Sequence, residues 1–332
     1  MLRHALAAFT LVFALHAGAE TSEVRLAKQY GLQYLPFLVM QHEQLIEGQV
    51  QKAGLPRPKV TWNTFSGGDV LVQAILADQV DISNGSLIAF ITLWSRTRGQ
   101  QDVRALAAFN RVPVVLLTRN PNVKTIRDFT EKDRIALPAV RSSGQALLLQ
   151  MEAEKVFGPG KWAQLDHLTV SRALPDGFAA LMDDNNEINS HFSNPPYIER
   201  ALKKPGVHAV LSERDVLGGD TYSGGVSFAT RRFVDQNPRT ARAVYDALVE
   251  AMEFIKRDKV AAAKMYLELT PGDKTPLDDI LAQLSSNQLV FDVTPLNVTK
   301  FADFMNHIGQ VKERPASWKD LFFSFVYDLP GS

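Results

Sequence analysis

Small polar residues recur directly after predicted strands, and residues of this kind could together bind an anion. Four clusters fit the description: Ser66-Gly67-Gly68-Asp69, Asn84-Gly85-Ser86, Ser142-Ser143 and Ser193-Asn194. Each would place free backbone N–H groups and a hydroxyl or amide at a helix N-terminus, where the helix dipole is positive. Ordinary N-caps have the same composition, but four clusters together favour a shared crevice beyond the carboxyl ends of the strands.

Two arginines lie near these clusters in the sequence. Arg141 directly precedes Ser142, and Arg111 begins the segment between two predicted strands. A guanidinium can grip a carboxylate or sulfonate through two hydrogen bonds, so both are candidate ligand residues, with a surface position as the alternative. Three aromatic residues are candidates for the apolar walls of the site: Tyr34, Phe192 and Tyr222. His191 is a further candidate, and its position is equally compatible with a hydrogen-bonded residue at the end of a strand.

Motifs for catalysis are missing from the sequence. The seven histidines are scattered, and the chain has no phosphate-binding loop, no dinucleotide fingerprint and no nucleophile elbow. The absence of cysteine removes disulfides, thiolate nucleophiles and cysteine-ligated metals. We therefore expect no catalytic residue, no metal site and no cofactor.

Length and charge indicate the broad class of protein. The chain has 332 residues, 36 lysines and arginines, 36 aspartates and glutamates, and 45% apolar residues. This composition is that of a globular protein, and the length predicts about two domains. A zero net charge argues against a nucleic-acid partner, which needs a basic surface.

The first 19 residues have the pattern of a signal peptide. Arg3 and His4 precede the apolar run 5–15, and Ala17-Gly18-Ala19 supplies small residues for cleavage after Ala19. The run is too short to span a bilayer. Without a cysteine for lipid attachment, we expect a periplasmic protein that is not anchored to the membrane.

The remaining chain alternates strand and helix patterns, which predicts βαβ units and mainly parallel sheets. The predicted strands are 24–28, 59–65, 80–83, 103–109, 112–118, 134–140, 167–171, 188–192, 207–211 and 222–230. The predicted helices are 36–53, 70–77, 87–94, 142–157, 176–182 and 196–203, followed by a helical tail with segments around 241–255, 260–268, 277–286 and 298–310. Chain crossings near 111–119 and 214–226 would give a first lobe of 20–113 plus 221–332 and a second lobe of 114–220.

The sequence resembles the solute-binding proteins of ABC importers in the nitrate, sulfonate and taurine group. The segments that carry the resemblance are VRLAKQYGLQYLPFLVM (24–40), VTWNTFSGGDVLVQAILADQVDISNGS (60–86), VPVVLLTRNPNVKTIRDFTEKDRIALPAVRSSGQ (112–145) and INSHFSNPPYIERAL (188–202). Their order is more specific than any one of them. Thr130-Glu131-Lys132-Asp133 departs from the Gly-Lys usual at that point of the family pattern.

The resemblance implies a type II periplasmic binding protein, with two lobes that close on a ligand by hinge motion. It adds Gln33, Tyr34, Leu35 and Pro36 to the candidate ligand loops and includes the four clusters above. The implied function is delivery of a small organic anion to an inner-membrane permease and its ATPase, by a protein expected to be a monomer and not an enzyme. The alternatives are a neutral or aromatic ligand such as a pyrimidine, an enzyme on the same fold, and a sensory or scaffold protein.

Overall fold

The computed structural model describes residues 20–286 and 288–332, so the predicted signal peptide lies outside the described part. The described residues form two five-stranded sheets covered by helices, which confirms the predicted α/β architecture with two lobes. We call the elements around the first sheet the first lobe and those around the second sheet the second lobe.

The first sheet has the strand order β2-β1-β3-β10-β4. β1 pairs in parallel with β2 and β3, whereas β10 runs antiparallel to both β3 and β4. Four of the five strands therefore run in one direction, and their carboxyl ends meet at one edge. The strands are β1 (Glu23–Lys28), β2 (Lys59–Thr64), β3 (Ile82–Ser86), β4 (Arg104–Asn110) and β10 (Gly225–Ala229).

The second sheet repeats this topology with the order β7-β6-β8-β5-β9. β6 pairs in parallel with β7 and β8, and β5 runs antiparallel to β8 and β9. The strands are β5 (Val115–Thr118), β6 (Ile135–Leu137), β7 (Thr169–Ser171), β8 (Ser190–Ser193) and β9 (His208–Ser212). The one antiparallel strand of each sheet is also the strand that enters it directly from the other lobe.

Thirteen α-helices are found in the described residues. They are α1 (Leu35–His42), α2 (Leu45–Lys52), α3 (Gly68–Leu76), α4 (Leu87–Thr97), α5 (Gly144–Phe157), α6 (Leu174–Met182), α7 (Tyr197–Leu202), α8 (Glu213–Leu217), α9 (Arg231–Gln236), α10 (Pro238–Arg257), α11 (Lys259–Leu269), α12 (Leu277–Ser285) and α13 (Val298–His307). α10 packs on α1 and α2, so the helical tail returns to the first lobe.

The predicted helix 36–53 is two helices. Gln44 has a φ of 53°, in the left-handed region, and separates α1 from α2. α1 is buried along Leu35–Met40, whereas α2 buries Ile46 and Val50. The break turns the chain from the interior to the surface, and no glycine or proline marks it in the sequence.

Candidate functional site

A small cavity of about 60 Å³ lies where the carboxyl ends of the two sheets face each other. Its walls come from both lobes and begin directly after strand ends, as expected for ligand sites in open α/β sheets. The lining residues are Gln29, Tyr30, Gln33, Tyr34, Ser66, Gly68, Ser86, Asn110, Val112, Val114, Pro138, Ser142, Ser143, Gly144, Gln145, Leu174, Asn194, Tyr222, Gly224 and Gly225. We call this space the polar cavity.

Three helix N-termini border the polar cavity. α3 starts at Gly68, which lines it, and α4 follows Ser86, whose Oγ accepts a hydrogen bond of 3.2 Å from the N–H of Ala89. α5 follows Ser143, which accepts a bond of 3.2 Å from Ala146 in the same way. The first N–H groups of a helix have no partner within it, and the dipole is positive there, so the three ends together favour a negative group.

Buried polar atoms without a partner lie in the cavity wall. Among the described residues, Gln33 Oε1, Asn110 Oδ1 and Ser142 Oγ have no hydrogen-bond partner. Their residues are only 8%, 2% and 4% exposed. A buried polar atom left unpaired costs about 1–3 kcal/mol, so these atoms indicate a position for a polar ligand.

Contacts across the cleft hold the two lobes close together. Ser86 Oγ in the first lobe donates to the carbonyl of Ser142 in the second, at 2.7 Å. The N–H of Leu32 donates to the carbonyl of Pro195 at 3.2 Å. The structure is therefore a closed form, with the two lobes in direct contact beside the polar cavity.

Two tyrosines contribute neutral hydroxyls to the polar cavity. Burial raises the pKa of both Tyr34 and Tyr222. Tyr34 donates to Gln29 Oε1 at 2.9 Å, and Tyr222 stacks on Phe301 with the ring centroids 4.4 Å apart. Both hydroxyls therefore remain protonated at neutral pH, and both rings are fixed by packing.

Neither candidate arginine lines the polar cavity. Arg111 forms an ion pair with Asp292 at 3.2 Å, and Arg141 is exposed, its carbonyl accepting a bond from Gln310 at 2.6 Å. Asp69 is also exposed. The cavity lining therefore contains no charged side chain.

His191 is a buried strand residue in β8. It is 0% exposed, and burial lowers its pKa to about 3, so the imidazole is neutral. Its ring packs against Gly177 of α6, where an added Cβ would come within 2.7 Å of the ring. Phe192 and Ser193 continue the same buried strand.

The structure brings nine of the candidate residues to the polar cavity and places eleven elsewhere. Those in the lining are Gln33, Tyr34, Ser66, Gly68, Ser86, Ser142, Ser143, Asn194 and Tyr222. Those outside it are Leu35, Pro36, Gly67, Asp69, Asn84, Gly85, Arg111, Arg141, His191, Phe192 and Ser193. Six residues of the second group have buried side chains outside the lining: Leu35, Pro36, Asn84, His191, Phe192 and Ser193.

Sequence reasoning missed several lining residues that carry no local signal. Asn110 is the last residue of β4, and its Nδ2 donates to the carbonyl of Gln33 at 3.2 Å. Gln145 lies inside α5 and donates to Asn194. The others are Gln29, Tyr30, Val112, Val114, Pro138, Gly144, Leu174, Gly224 and Gly225. Asn110 could have been suspected, because it is a polar residue that ends an apolar strand.

The described residues contain neither a metal-binding cluster nor a membrane-spanning helix. Within residues 20–286 and 288–332, no group of three histidine, aspartate or glutamate side chains could hold a metal ion. In the same part of the chain, every helix is too short or too polar to cross a bilayer.

Comparison with solved structures relates the fold to periplasmic binding proteins. The chain superposes on the alkanesulfonate-binding protein SsuA from Xanthomonas axonopodis pv. citri, solved bound to MOPS, with a TM-score of 0.70 and 17% identity over 91% of this chain and 99% of that chain. The periplasmic aliphatic sulphonate binding protein SsuA from Escherichia coli gives a TM-score of 0.64 and 17% identity over 92% of this chain and 93% of that chain.

A nitrate-binding protein has the same fold. The periplasmic nitrate-binding protein NrtA from Synechocystis PCC 6803 gives a TM-score of 0.61 and 15% identity over 83% of this chain and 75% of that chain. No protein-family model and no curated protein sequence matches this chain. The chain therefore has the two-lobed fold of these periplasmic sulfonate- and nitrate-binding proteins, as the sequence resemblance implied.

Proposed function

We propose that this protein is the periplasmic solute-binding component of an ABC importer, and that it binds a small organic anion between its lobes without transforming it. One observation carries the proposal: three helix N-termini and three unpartnered buried polar atoms converge on one cavity between the sheets. The shared fold of sulfonate- and nitrate-binding proteins supports it.

The negative end of the solute would lie against the N-termini of α3, α4 and α5. Ser142 Oγ is free to donate to it, and Ser143 and Gly144, where α5 begins, line the same cavity. Among the described residues, no acidic side chain lines the cavity. The buried carboxyl of Glu213 lies behind its wall, where it accepts a bond of 2.9 Å from the N–H of Val114, and burial raises its pKa, which favours the neutral form. Recognition without an arginine is weaker per contact, but it costs no desolvation of a guanidinium.

The volume limits what enters the closed form. An apolar cavity of about 150 Å³ holds a benzene molecule, and the polar cavity has about 60 Å³. It therefore accommodates an acidic group of a few heavy atoms. The rest of an organic solute must extend out of it, between the lobes.

Closure would follow from ligand contacts to both lobes. We assign 20–113 and 221–332 to the first lobe and 114–220 to the second, with hinges in the two connecting segments. A solute that touches Gly68 and Ser86 on one side and Ser142 on the other stabilises the closed form. A permease with its ATPase would recognise the closed form. We propose that the monomer diffuses to this permease in the periplasm after signal-peptide removal.

The uncharged lining also favours a second candidate ligand class. A neutral polar ring such as a pyrimidine could use Gln33 and Asn110 as hydrogen-bond partners and Tyr222 as an apolar wall. In this alternative the role as a binding protein is unchanged, and the helix dipoles contribute little.

Titration of stripped protein tests the proposal. The chain is denatured, dialysed, refolded and titrated calorimetrically with nitrate, acetate, methanesulfonate, taurine, benzoate and uracil. We expect one site per chain for at least one anion, and an increase in melting temperature with its concentration. Binding of uracil alone would favour the neutral alternative, and the absence of any binding would contradict the proposed function.

A further inference from the structure

A second cavity of about 430 Å³ adjoins the polar cavity and shares Gln29, Tyr30 and Tyr34 with it. It is also built from both lobes, together with the segment that follows α11. Its walls are rich in aromatic rings: Tyr30, Tyr34, Phe178, Tyr197 and Tyr266. We call this space the aromatic chamber.

Lys28, the last residue of β1, is a buried cation in the wall of the aromatic chamber. It is 7% exposed, and its Nζ donates to Thr64 Oγ1 at 3.0 Å. An ammonium has three donors, and among the described residues no carboxylate pairs with this one. Burial lowers its pKa to about 8, so most of the population is still charged at pH 7.

The other charges of the chamber neutralise each other. Arg200 forms an ion pair with Asp273 at 3.0 Å and lies over the ring of Phe178 at 4.5 Å. Asp273 also accepts a bond of 2.6 Å from the hydroxyl of Tyr266. Lys28 therefore gives the chamber an excess of one positive charge, in surroundings where an unpaired charge is costly.

We infer that the solute is an aromatic ring with two acidic groups, one at the helix N-termini of the polar cavity and the other on Lys28. This rests on the proposed function and adds the class of solute. The ring lies in the aromatic chamber, whose volume is well above that needed for benzene and leaves room for ring substituents. Stacking on Phe178 and Tyr197, whose centroids are 5.4 Å apart, orients it.

An amine at the same position is disfavoured. A zwitterion such as taurine would bring its ammonium toward Lys28, and like charges in a buried site repel. A small inorganic anion would leave the chamber empty and Lys28 unpaired. The two cavities together therefore favour a solute that has an aromatic ring and a second negative charge.

Calorimetry at pH 7 with benzoate and with phthalate, isophthalate and terephthalate tests the inference. We expect at least one of the three dicarboxylates to bind at least tenfold more tightly than benzoate. Lys28→Met should abolish this advantage while leaving benzoate affinity within a factor of two. The matched control is Lys52→Met, because the Lys52 side chain is 65% exposed, and it should leave both affinities unchanged.

A second variant keeps the test informative if Lys28→Met does not fold. Phe178 lines the aromatic chamber but not the polar cavity. Phe178→Leu should weaken dicarboxylate binding at least fivefold and leave methanesulfonate binding unchanged.

The outcomes separate the two proposals. If benzoate or methanesulfonate binds but no dicarboxylate gains on benzoate, the inference is wrong and the proposed function stands. The inference is also wrong if the dicarboxylate still binds more tightly than benzoate by the same factor in Lys28→Met. If Lys28→Met does not fold, the same result with Phe178→Leu has the same meaning. If none of the anions binds, both proposals fall.

Discussion

A methyl group at position 67 should hinder closure without disturbing either lobe. Gly67 is the N-cap of α3, with an extended backbone (φ −160°) that alanine adopts freely. An added Cβ would come within 2.9 Å of the carbonyl oxygen of Pro138, and the next neighbour is Ala139 Cβ at 3.7 Å. Both belong to the second lobe, so the clash exists only in the closed form.

The size of the effect follows from the overlap. Inserting a methyl group into a packed contact costs about 1–3 kcal/mol. Because about 1.4 kcal/mol is a factor of ten, the ratio of the closed to the open population should fall by a factor of about 5 to about 140. A ligand that needs closure loses affinity by the same factor, whereas the separate lobes lose no contact.

Two measurements test Gly67→Ala. Calorimetry with an anion that binds the wild type should give at least fivefold weaker binding, and small-angle scattering should give a larger radius of gyration for the ligand-free variant. Gly48→Ala is the matched control, because an added Cβ there meets nothing within 4 Å. Wild-type affinity and compactness in Gly67→Ala would refute the closure argument.

Three further predictions concern single side chains. Ser142→Ala should weaken anion binding about tenfold or more. It should leave thermal stability unchanged or higher, because the buried Oγ of Ser142 has no partner in the described structure. Unchanged calorimetric affinity would exclude Ser142 from the site. Dicarboxylate affinity should fall as pH rises through about 8, where Lys28 loses its proton, and calorimetry in two buffers at pH 8 should show proton uptake that Lys28→Met lacks. The pKa of His191 is lowered to about 3 from an ordinary value near 6.5, so its contribution to the free energy of unfolding is fully present above pH 6.5 and is lost as pH falls toward 3, by about 1.4 kcal/mol per pH unit. His191→Leu should flatten this pH dependence in urea unfolding between pH 7 and 5, and an unaltered slope would contradict the prediction.

Local chemistry explains why most of the fold was predictable from sequence. β-branched and apolar runs indicated the strands, and caps such as Ser143 marked helix starts to within one or two residues. The antiparallel direction of β5 and β10 was not predictable. Each follows an element of the other lobe, β5 directly after β4 and β10 after the short helix α8, and no pattern within the strand indicates the direction of its neighbours.

The candidate site was predictable only where it depends on helix capping. Ser66, Ser86 and Ser142 were found because strand-to-helix junctions need small polar residues. Lys28 was missed because one lysine ending a strand usually points to solvent. Its burial depends on α1, α7 and the segment after α11, which meet only in the folded chain.

Arg111 lies at the start of the first segment between the lobes, which is one of the two hinges in the function proposed above. Its N–H donates to the carbonyl of Val290 at 2.8 Å, its carbonyl accepts from the N–H of Val290 at 2.9 Å, and its side chain pairs with Asp292. Arg111 begins the segment that leaves β4 for β5, and β5 lies between two strands of its own sheet. If the lobes rotate as proposed, the residues between Arg111 and Val115 absorb part of the rotation and the segment before β10 absorbs the rest, with Arg111 held against Val290 at one end. We therefore expect the Arg111 guanidinium, a candidate ligand residue in the sequence, to stabilise one hinge through its ion pair with Asp292.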